Sequence, residues 1–230
     1  MNVFYTPFLN DDVFILDENE SQHAVKVLRL NAGESVLVMD GKGTICKVII
    51  TNPHPRKCEC KILERNVAMK RSFHLHIAIA PTKMNDRMEW FLEKATEIGV
   101  EEITPVICSR SERRQTNHER FQKVLMAAMK QSINPWLPIL NEQEDLDKFL
   151  LGHEPGFIAH CMESEKSPLQ KSDLSSERIT ILIGPEGDFT EAELKAATAK
   201  NWTPVSLGNT RLRTETAGIV ACHTITLLKS

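Results

Sequence analysis

From about residue 71 onward, short apolar runs of strand length alternate with longer segments of helical periodicity, and this alternation restricts the fold more than any other feature of the chain. Strands separated by helices pair in parallel, because each helix carries the chain back across the sheet before the next strand begins. Residues 73–80 read as the first such strand. Met84, Met88, Phe91, Leu92, Ala95 and Ile98 then mark one face of a helix that stops at Gly99, a residue suited to a left-handed C-terminal cap. Residues 103–108, 156–161 and 179–183 read as further strands, and 119–132 as a helix. Thr190 and Glu193 have the spacing of a capping box, so a helix is expected to begin there and to run to about residue 200. The last helix, 215–228, is apolar around much of its circumference through Ala217, Ile219, Val220, Ala221, Ile225, Leu227 and Leu228. Such a helix requires cover on more than one side, from its own domain or from a second subunit.

The first 70 residues follow a different pattern. Val13 to Leu16, Ser35 to Met39 and Lys47 to Ile50 are β-rich runs, with Asp40-Gly41-Lys42-Gly43 as a hairpin turn between the last two. One helical stretch, 18–30, interrupts them through Ala24, Val27 and Leu28, with Gly33 following its end. The segment is expected to form a small barrel, and the charged residues 64–71 mark the passage to the second pattern. The expected organisation is thus two domains, 1–70 and 71–230, and a hydrophobic fraction of 41% supplies a core for each.

Composition narrows the environment and the partners. No run approaches the roughly 20 apolar residues of a membrane span, and Met1-Asn2-Val3-Phe4 lacks the order of a signal peptide, so a cytoplasmic protein is expected. The six cysteines are then expected to be reduced thiols; only Cys58 and Cys60 lie close together, at a spacing unlike a zinc knuckle, and no metal is expected. A net charge of −3 does not advertise a polyanionic partner. Phosphate contact depends on local density, however, and Arg110, Arg113 and Arg114, followed by His118, Arg120 and Lys123, form a basic patch. An ordinary solvated loop and helix face explains that patch equally well.

Two loops invite a ligand. The apolar strand 179–183 runs into Gly184-Pro185-Glu186-Gly187-Asp188-Phe189, and Val205-Ser206-Leu207 runs into Gly208-Asn209-Thr210-Arg211-Leu212-Arg213. Loops at the carboxyl ends of parallel strands are where open α/β sheets bind ligands. Tight turns alone would also account for Gly184 and Gly208. Neither loop carries a dinucleotide fingerprint or a P-loop, which removes the main support for those two readings.

Taken together, His23-Ala24-Val25-Lys26-Val27-Leu28-Arg29, Glu93-Lys94-Ala95-Thr96-Glu97-Ile98-Gly99-Val100, Cys108-Ser109-Arg110-Ser111, Gly184-Pro185-Glu186-Gly187 and Leu207-Gly208 with Leu212-Arg213-Thr214-Glu215-Thr216-Ala217 span nearly the whole chain in order. In that order and spacing they resemble the RsmE family of ribosomal RNA methyltransferases, members of the knotted SPOUT superfamily. The resemblance implies an α/β C-terminal SPOUT domain with a deep trefoil knot, an N-terminal PUA-like β-barrel that helps to hold RNA, and a homodimer with its active site near the subunit interface. The implied reaction is methylation of N3 of a uridine in small-subunit (16S) ribosomal RNA, with S-adenosylmethionine as methyl donor.

By the same resemblance, the backbone of residues 183–187 and 207–216, with Ile183, Gly184, Pro185, Glu186, Gly187, Leu207, Gly208, Leu212, Arg213 and Thr216 as the binding residues, encloses a bent S-adenosylmethionine. His160 closes the adenine side, and Leu207 and Leu212 cover the adenine. Arg213 is the leading candidate to stabilise negative charge on the uridine, with Glu186 and Glu215 as alternative proton acceptors. A carboxylate beside a helix N-terminus has an ordinary explanation in the backbone N–H groups there. His23, Lys26 and Arg29 are candidates for gripping RNA, as are Arg110, Arg113 and Arg114. Two departures stand out: Asp188 where the family loop usually has glycine, and Ile133-Asn134 where an arginine is common. The competing readings are an RNA-binding protein of this fold without catalysis, and an enzyme acting on another nucleotide or on transfer RNA.

Overall fold

The computed structural model of the chain describes residues 1–229. It divides into two compact units, Met1–Lys70 with Met126–Leu137, and Arg71–Leu125 with the chain from Pro138 onward.

The first unit contains β1 (Val3–Tyr5), β2 (Val13–Ile15), a short helix α1 (Glu18–Gln22), β3 (Ser35–Met39), β4 (Thr44–Asn52) and β5 (Glu59–Val67). Its sheet has the order β1-β3-β4-β5-β2, with β1 and β3 parallel and the remaining pairs antiparallel. Cys46, Val48 and Ile50 alternate inward along β4 and pack with Phe4, Leu16, Val36 and Val38, the period-two pattern of a strand with one face in a core. The hairpin expected at Asp40 is present, and the Asp40 carboxylate closes it by accepting the N–H groups of Lys42 and Thr44.

Two features depart from the sequence expectation. The helical stretch expected over 18–30 is a regular helix only through Gln22; His23–Val27 form a wider π-turn, and Arg29 then takes a left-handed backbone with φ 57°. This leaves His23, Lys26 and Arg29 exposed. The charged segment after residue 64 carries the end of β5, whose residues from Glu64 to Val67 are all exposed and so show no alternation to read. The 126–137 segment belongs to this unit: Lys130 Nζ pairs with Glu20 Oε1 at 2.6 Å, and the Trp136 ring lies so close to Gly43 that a Cβ there would meet it at 2.4 Å.

The second unit contains β6 (His74–Ile79), α2 (Asn85–Ile98), β7 (Glu102–Ile107), the start of α3 (His118–Ser132), β8 (Ile139–Leu140), β9 (Glu144–Asp145), α4 (Leu146–Gly152), β10 (Phe157–Ala159), β11 (Ser167–Pro168), β12 (Arg178–Ile183), α5 (Glu191–Ala199), β13 (Thr203–Ser206) and α6 (Thr214–Lys229). Its sheet runs β11-β13-β10-β12-β6-β7-β8, with β9 also on β7, and every pair is parallel. Near-continuous burial along β6, β7 and β12 fits a sheet covered on both faces. Gly99 ends α2 with φ 97°, as its position required. The capping box of α5 is complete, with Thr190 Oγ1 accepting the Glu193 N–H and Glu193 Oε2 accepting the Thr190 N–H. Helices α2 and α6 pack together, and a Cβ on Gly218 would sit 2.6 Å from the Phe91 ring. At the end of α3, Ile133 takes φ 53° and Asn134 N–H returns to Met129 O, so this departure from the family pattern forms the helix C-terminus. Among the described residues no helix is long and apolar enough to cross a membrane.

Candidate active site

Strands β10, β12 and β13 are neighbours and end at Ala159, Ile183 and Ser206. The loops that follow these three ends enclose a cavity of about 620 Å³, a volume suited to a nucleoside-sized ligand. Parallel strands explain the convergence: all three deliver their carboxyl ends, and therefore their loops, to one edge of the sheet.

Of the residues anticipated to hold a donor, His160, Ile183, Gly184, Pro185, Glu186, Leu207, Gly208, Leu212 and Arg213 line this cavity. Gly187 and Thr216 do not, and neither does Glu215. Asn209, Arg211 and Thr214, within the second of the two expected enclosing stretches, line it as well, and so do Lys166 and Asp188, for which no part in holding the donor was expected. The Thr214 hydroxyl donates to Gly184 O at 3.0 Å and joins the two glycine-bearing loops, a contact between residues thirty positions apart that no local pattern announces.

The glycines serve different ends. A Cβ on Gly184 would meet the Phe189 ring at 3.0 Å, and one on Gly187 would meet Arg110 Cβ at 3.2 Å, so both positions are small because protein packs against them. Gly208 alone opens outward, with φ 145° and nothing within 4 Å of the Cβ position. Asp188 has φ 62°, a left-handed conformation that favours glycine and that aspartate tolerates better than most residues. Its carboxylate uses the position: Oδ2 accepts the Cys161 N–H at 2.9 Å and Oδ1 accepts the Phe189 N–H at 2.8 Å. The aspartate thereby ties the loop after β12 to the loop after β10.

Buried polar atoms in the cavity wall point to a ligand. His160 is 6% exposed, and neither ring nitrogen has a hydrogen-bond partner. Burial pushes its pKa down, the nearby Lys166 ammonium acts in the same direction, and Asp188 opposes them. A neutral imidazole presents one donor and one acceptor, which matches a heteroaromatic ring with both functions. Glu186 Oε1 accepts the Lys83 N–H at 2.9 Å, while its Oε2 is buried without a partner. Buried polar groups are rarely left unpaired without cause.

The two candidate glutamates are separated by this geometry. Glu186 faces the cavity, whereas Glu215 lies outside its lining, in the first turn of α6, with Oε1 3.3 Å from Arg87 Nη1. Arg213 is exposed at the cavity wall, in the segment leading into α6. Arg110 and Arg113 turn toward backbone carbonyls. Arg110 Nη1 donates to Gly187 O at 2.9 Å and to Phe189 O at 3.2 Å, and Arg113 Nη2 donates to Lys83 O at 2.9 Å. Arg114 is exposed and donates to Ser109 O at 3.1 Å. His23, Lys26 and Arg29 belong to the first unit and line no part of this cavity.

Comparison with known proteins adds chemistry to this geometry. Residues 69–226 match the family described as an RNA methyltransferase domain, and residues 16–63 match an RNA methyltransferase PUA domain. The ribosomal RNA small subunit methyltransferase E of Bacillus subtilis is 27% identical, over 92% of this chain and 89% of that protein. A probable rRNA-methyltransferase from Porphyromonas gingivalis is 34% identical and superimposes with a TM-score of 0.90, covering 100% of this chain and 98% of the other. The ribosomal RNA small subunit methyltransferase E of Neisseria gonorrhoeae, bound to S-adenosyl methionine, is 27% identical with a TM-score of 0.90, over 99% of this chain and 98% of that one.

Proposed function

Because this chain belongs to the RsmE family of RNA methyltransferases, we propose that it transfers a methyl group from S-adenosylmethionine to N3 of a uridine in small-subunit (16S) ribosomal RNA. The observation that carries the donor assignment is the cavity at three strand ends, with the buried, unpartnered nitrogens of His160 and Glu186 Oε2 in its wall. The family and relatives' names carry the RNA assignment. On this reading residues 71–230, less the 126–137 segment that belongs to the first unit, form a knotted SPOUT domain, and residues 1–70 form a PUA-like barrel. The position of β12 between β6 and β10, both earlier in the chain, supports the threading; the five-stranded, mostly antiparallel sheet supports the barrel. The protein acts in the cytoplasm, where its substrate is assembled, and as a homodimer without a metal.

When bound, S-adenosylmethionine supplies a methyl group activated by a sulfonium centre. The protein's task is to hold the acceptor nitrogen in line with that group, a contribution of orientation rather than of covalent chemistry. His160 reads the adenine with one donor and one acceptor, Leu207 and Leu212 exclude water from it, and Gly208 leaves its backbone open to the ligand. N3 of uridine carries a proton that must leave, and Glu186 Oε2 is the acceptor, its carboxylate anchored through Oε1 to Lys83 N–H. Arg213 stabilises the negative charge that develops on the uracil ring. The uridine leaves its stack to reach the cavity, and His23, Lys26, Arg29 and Arg114, all exposed, grip the surrounding RNA.

The deciding experiment is mass mapping of modified nucleosides in ribosomal RNA from cells with and without the gene. Loss of N3-methyluridine from the small subunit is the expected result. An unchanged profile would favour the non-catalytic reading or another substrate, and titration of the purified protein with S-adenosylmethionine would then separate those two.

A further inference from the structure

Arg110 and Arg211 approach the segment Glu186 to Phe189 through its backbone oxygens. Arg110 Nη1 donates to the carbonyls of Gly187 and Phe189, at 2.9 and 3.2 Å. Arg211 Nη2 donates to the carbonyl of Glu186 at 3.1 Å. The aliphatic stem of Arg110 also lies on Gly187, whose added Cβ would come within 3.2 Å of Arg110 Cβ and 3.4 Å of Cδ. These contacts run from two separate stretches of chain onto three residues of the four-residue segment Glu186 to Phe189, in which Glu186 and Asp188 face the cavity. Charge-assisted hydrogen bonds are about twice as strong as neutral ones, and these three extend the hold on the loop beyond Gly184 O and Pro185 O, which already accept from Thr214 Oγ1 and Asp188 N–H. A basic patch that gripped RNA phosphates alone would have no reason to pack its guanidinium on these oxygens.

We infer that Arg110 and Arg211 are positioning residues for the methyl-donor loop, fixing the shape of Glu186 to Phe189 before RNA arrives, and that Arg110 is not primarily an RNA contact. This rests on the donor site proposed above. Its consequence is that donor affinity depends on these arginines in the absence of RNA. Loss of the two Arg110 hydrogen bonds should loosen the loop and weaken the donor about tenfold, the effect of a single charged hydrogen bond.

The test is calorimetric titration of the purified full chain with S-adenosylmethionine, without RNA, for wild type, Arg110→Ala, Arg110→Lys and Arg211→Ala. The expected result is a Kd raised about tenfold in Arg110→Ala and in Arg211→Ala, with partial recovery in Arg110→Lys, which keeps one cationic donor. In turnover, KM for the donor should rise by the same factor while kcat at saturating donor stays within about twofold. Both arginines are exposed, so the variants should melt with wild type; a role confined to stability would lower the melting temperature and leave the Kd of the folded protein unchanged. Wild-type donor affinity in both alanine variants, with RNA affinity lost in Arg110→Ala, overturns the inference and returns Arg110 to the RNA. A wild-type chain that does not bind the donor overturns the site assignment itself, and the inference with it.

Discussion

At Gly208 the backbone has φ 145° and the space beyond its Cα is open, so a side chain there meets two penalties, a strained conformation and a ligand site filled from one wall. Gly208→Val is expected to weaken S-adenosylmethionine binding by about tenfold to a hundredfold, the range of overpacking costs in a well-packed site. Titration of a variant shown to be folded by circular dichroism checks this, and unchanged affinity would mean that the donor lies elsewhere. Arg213, in the same cavity wall, tests the chemistry rather than the donor. Its role arises as charge develops on the uracil, so Arg213→Ala should lower kcat by about a hundredfold or more, with donor Kd changed far less. Equal turnover in wild type and variant would remove Arg213 from the mechanism. The contrast between the two variants matters because both residues line one cavity, and only the assigned roles separate affinity from rate.

At the scale of elements, the amino ends of β6, β7 and β12 carry a polar cluster on the opposite edge of the sheet from the cavity. Glu102 accepts from His74 Nε2 at 2.7 Å, from Arg178 Nη2 at 2.7 Å and from Asn141 Nδ2 at 2.8 Å. His76 is fully buried beside it, with Nε2 2.7 Å from Thr104 Oγ1 and Nδ1 facing Arg178 Nη2 at 3.4 Å. Arg178 can only donate, so Nδ1 is the bare nitrogen and Nε2–H donates to Thr104. Burial, aided by Arg178, His153 and His74 and opposed by Glu102, pushes the His76 pKa from 6.5 down to about 3. An unfolded chain would therefore take up a proton that the folded one refuses, and stability present above the unfolded pKa is lost as pH falls toward the folded one. The urea midpoint should thus drop between about pH 7 and about pH 4.5, and His76→Asn should flatten that drop. Parallel curves for the two proteins would show that other groups govern acid sensitivity. Nothing in the sequence announced this cluster, because His74, His76, Glu102, Thr104 and Arg178 meet only when three strands align. What was legible came from local chemistry: the Thr190–Glu193 box, the Gly99 cap, the Asp40 turn and the apolar run of β12. The end of β5 was not, since its residues from Glu64 to Val67 are all exposed and carry no alternation; they are held by backbone pairing to β4, with Arg65 Nη1 donating to Leu9 O. In the candidate site, glycine loops after strands were readable, while Asp188 and Thr214 hold their places through contacts between separate loops, and Lys166 through the nearby carbonyls of His160 and Met162.

For the molecule as a whole, the apolar helix α6 raises the question of what covers it. Ala221, Cys222 and Ile225 are buried within the chain, but Leu227 stays 67% exposed and Leu228 46%, and on its neighbour α2 Trp90 is 43% exposed. These three side chains lie on two helices that pack against each other. Single exposed apolar residues are ordinary on a protein surface, whereas several on adjacent helices offer apolar surface for a second copy to cover. A stable interface requires roughly 1,200–2,000 Å² of buried surface, which two helix faces from each copy can supply. Sedimentation of the full chain at micromolar concentration should accordingly give a species of twice the single-chain mass. Replacing Trp90 and Leu227 together by glutamate places charges on both helices, and desolvating them in a self-association is costly, so the double variant should sediment as a monomer. Because the active site is proposed to lie near the interface, the same variant should lose methyl transfer along with assembly. A wild-type monomer at micromolar concentration would refute the dimer, and a monomeric variant with full turnover would show instead that each chain carries a complete site.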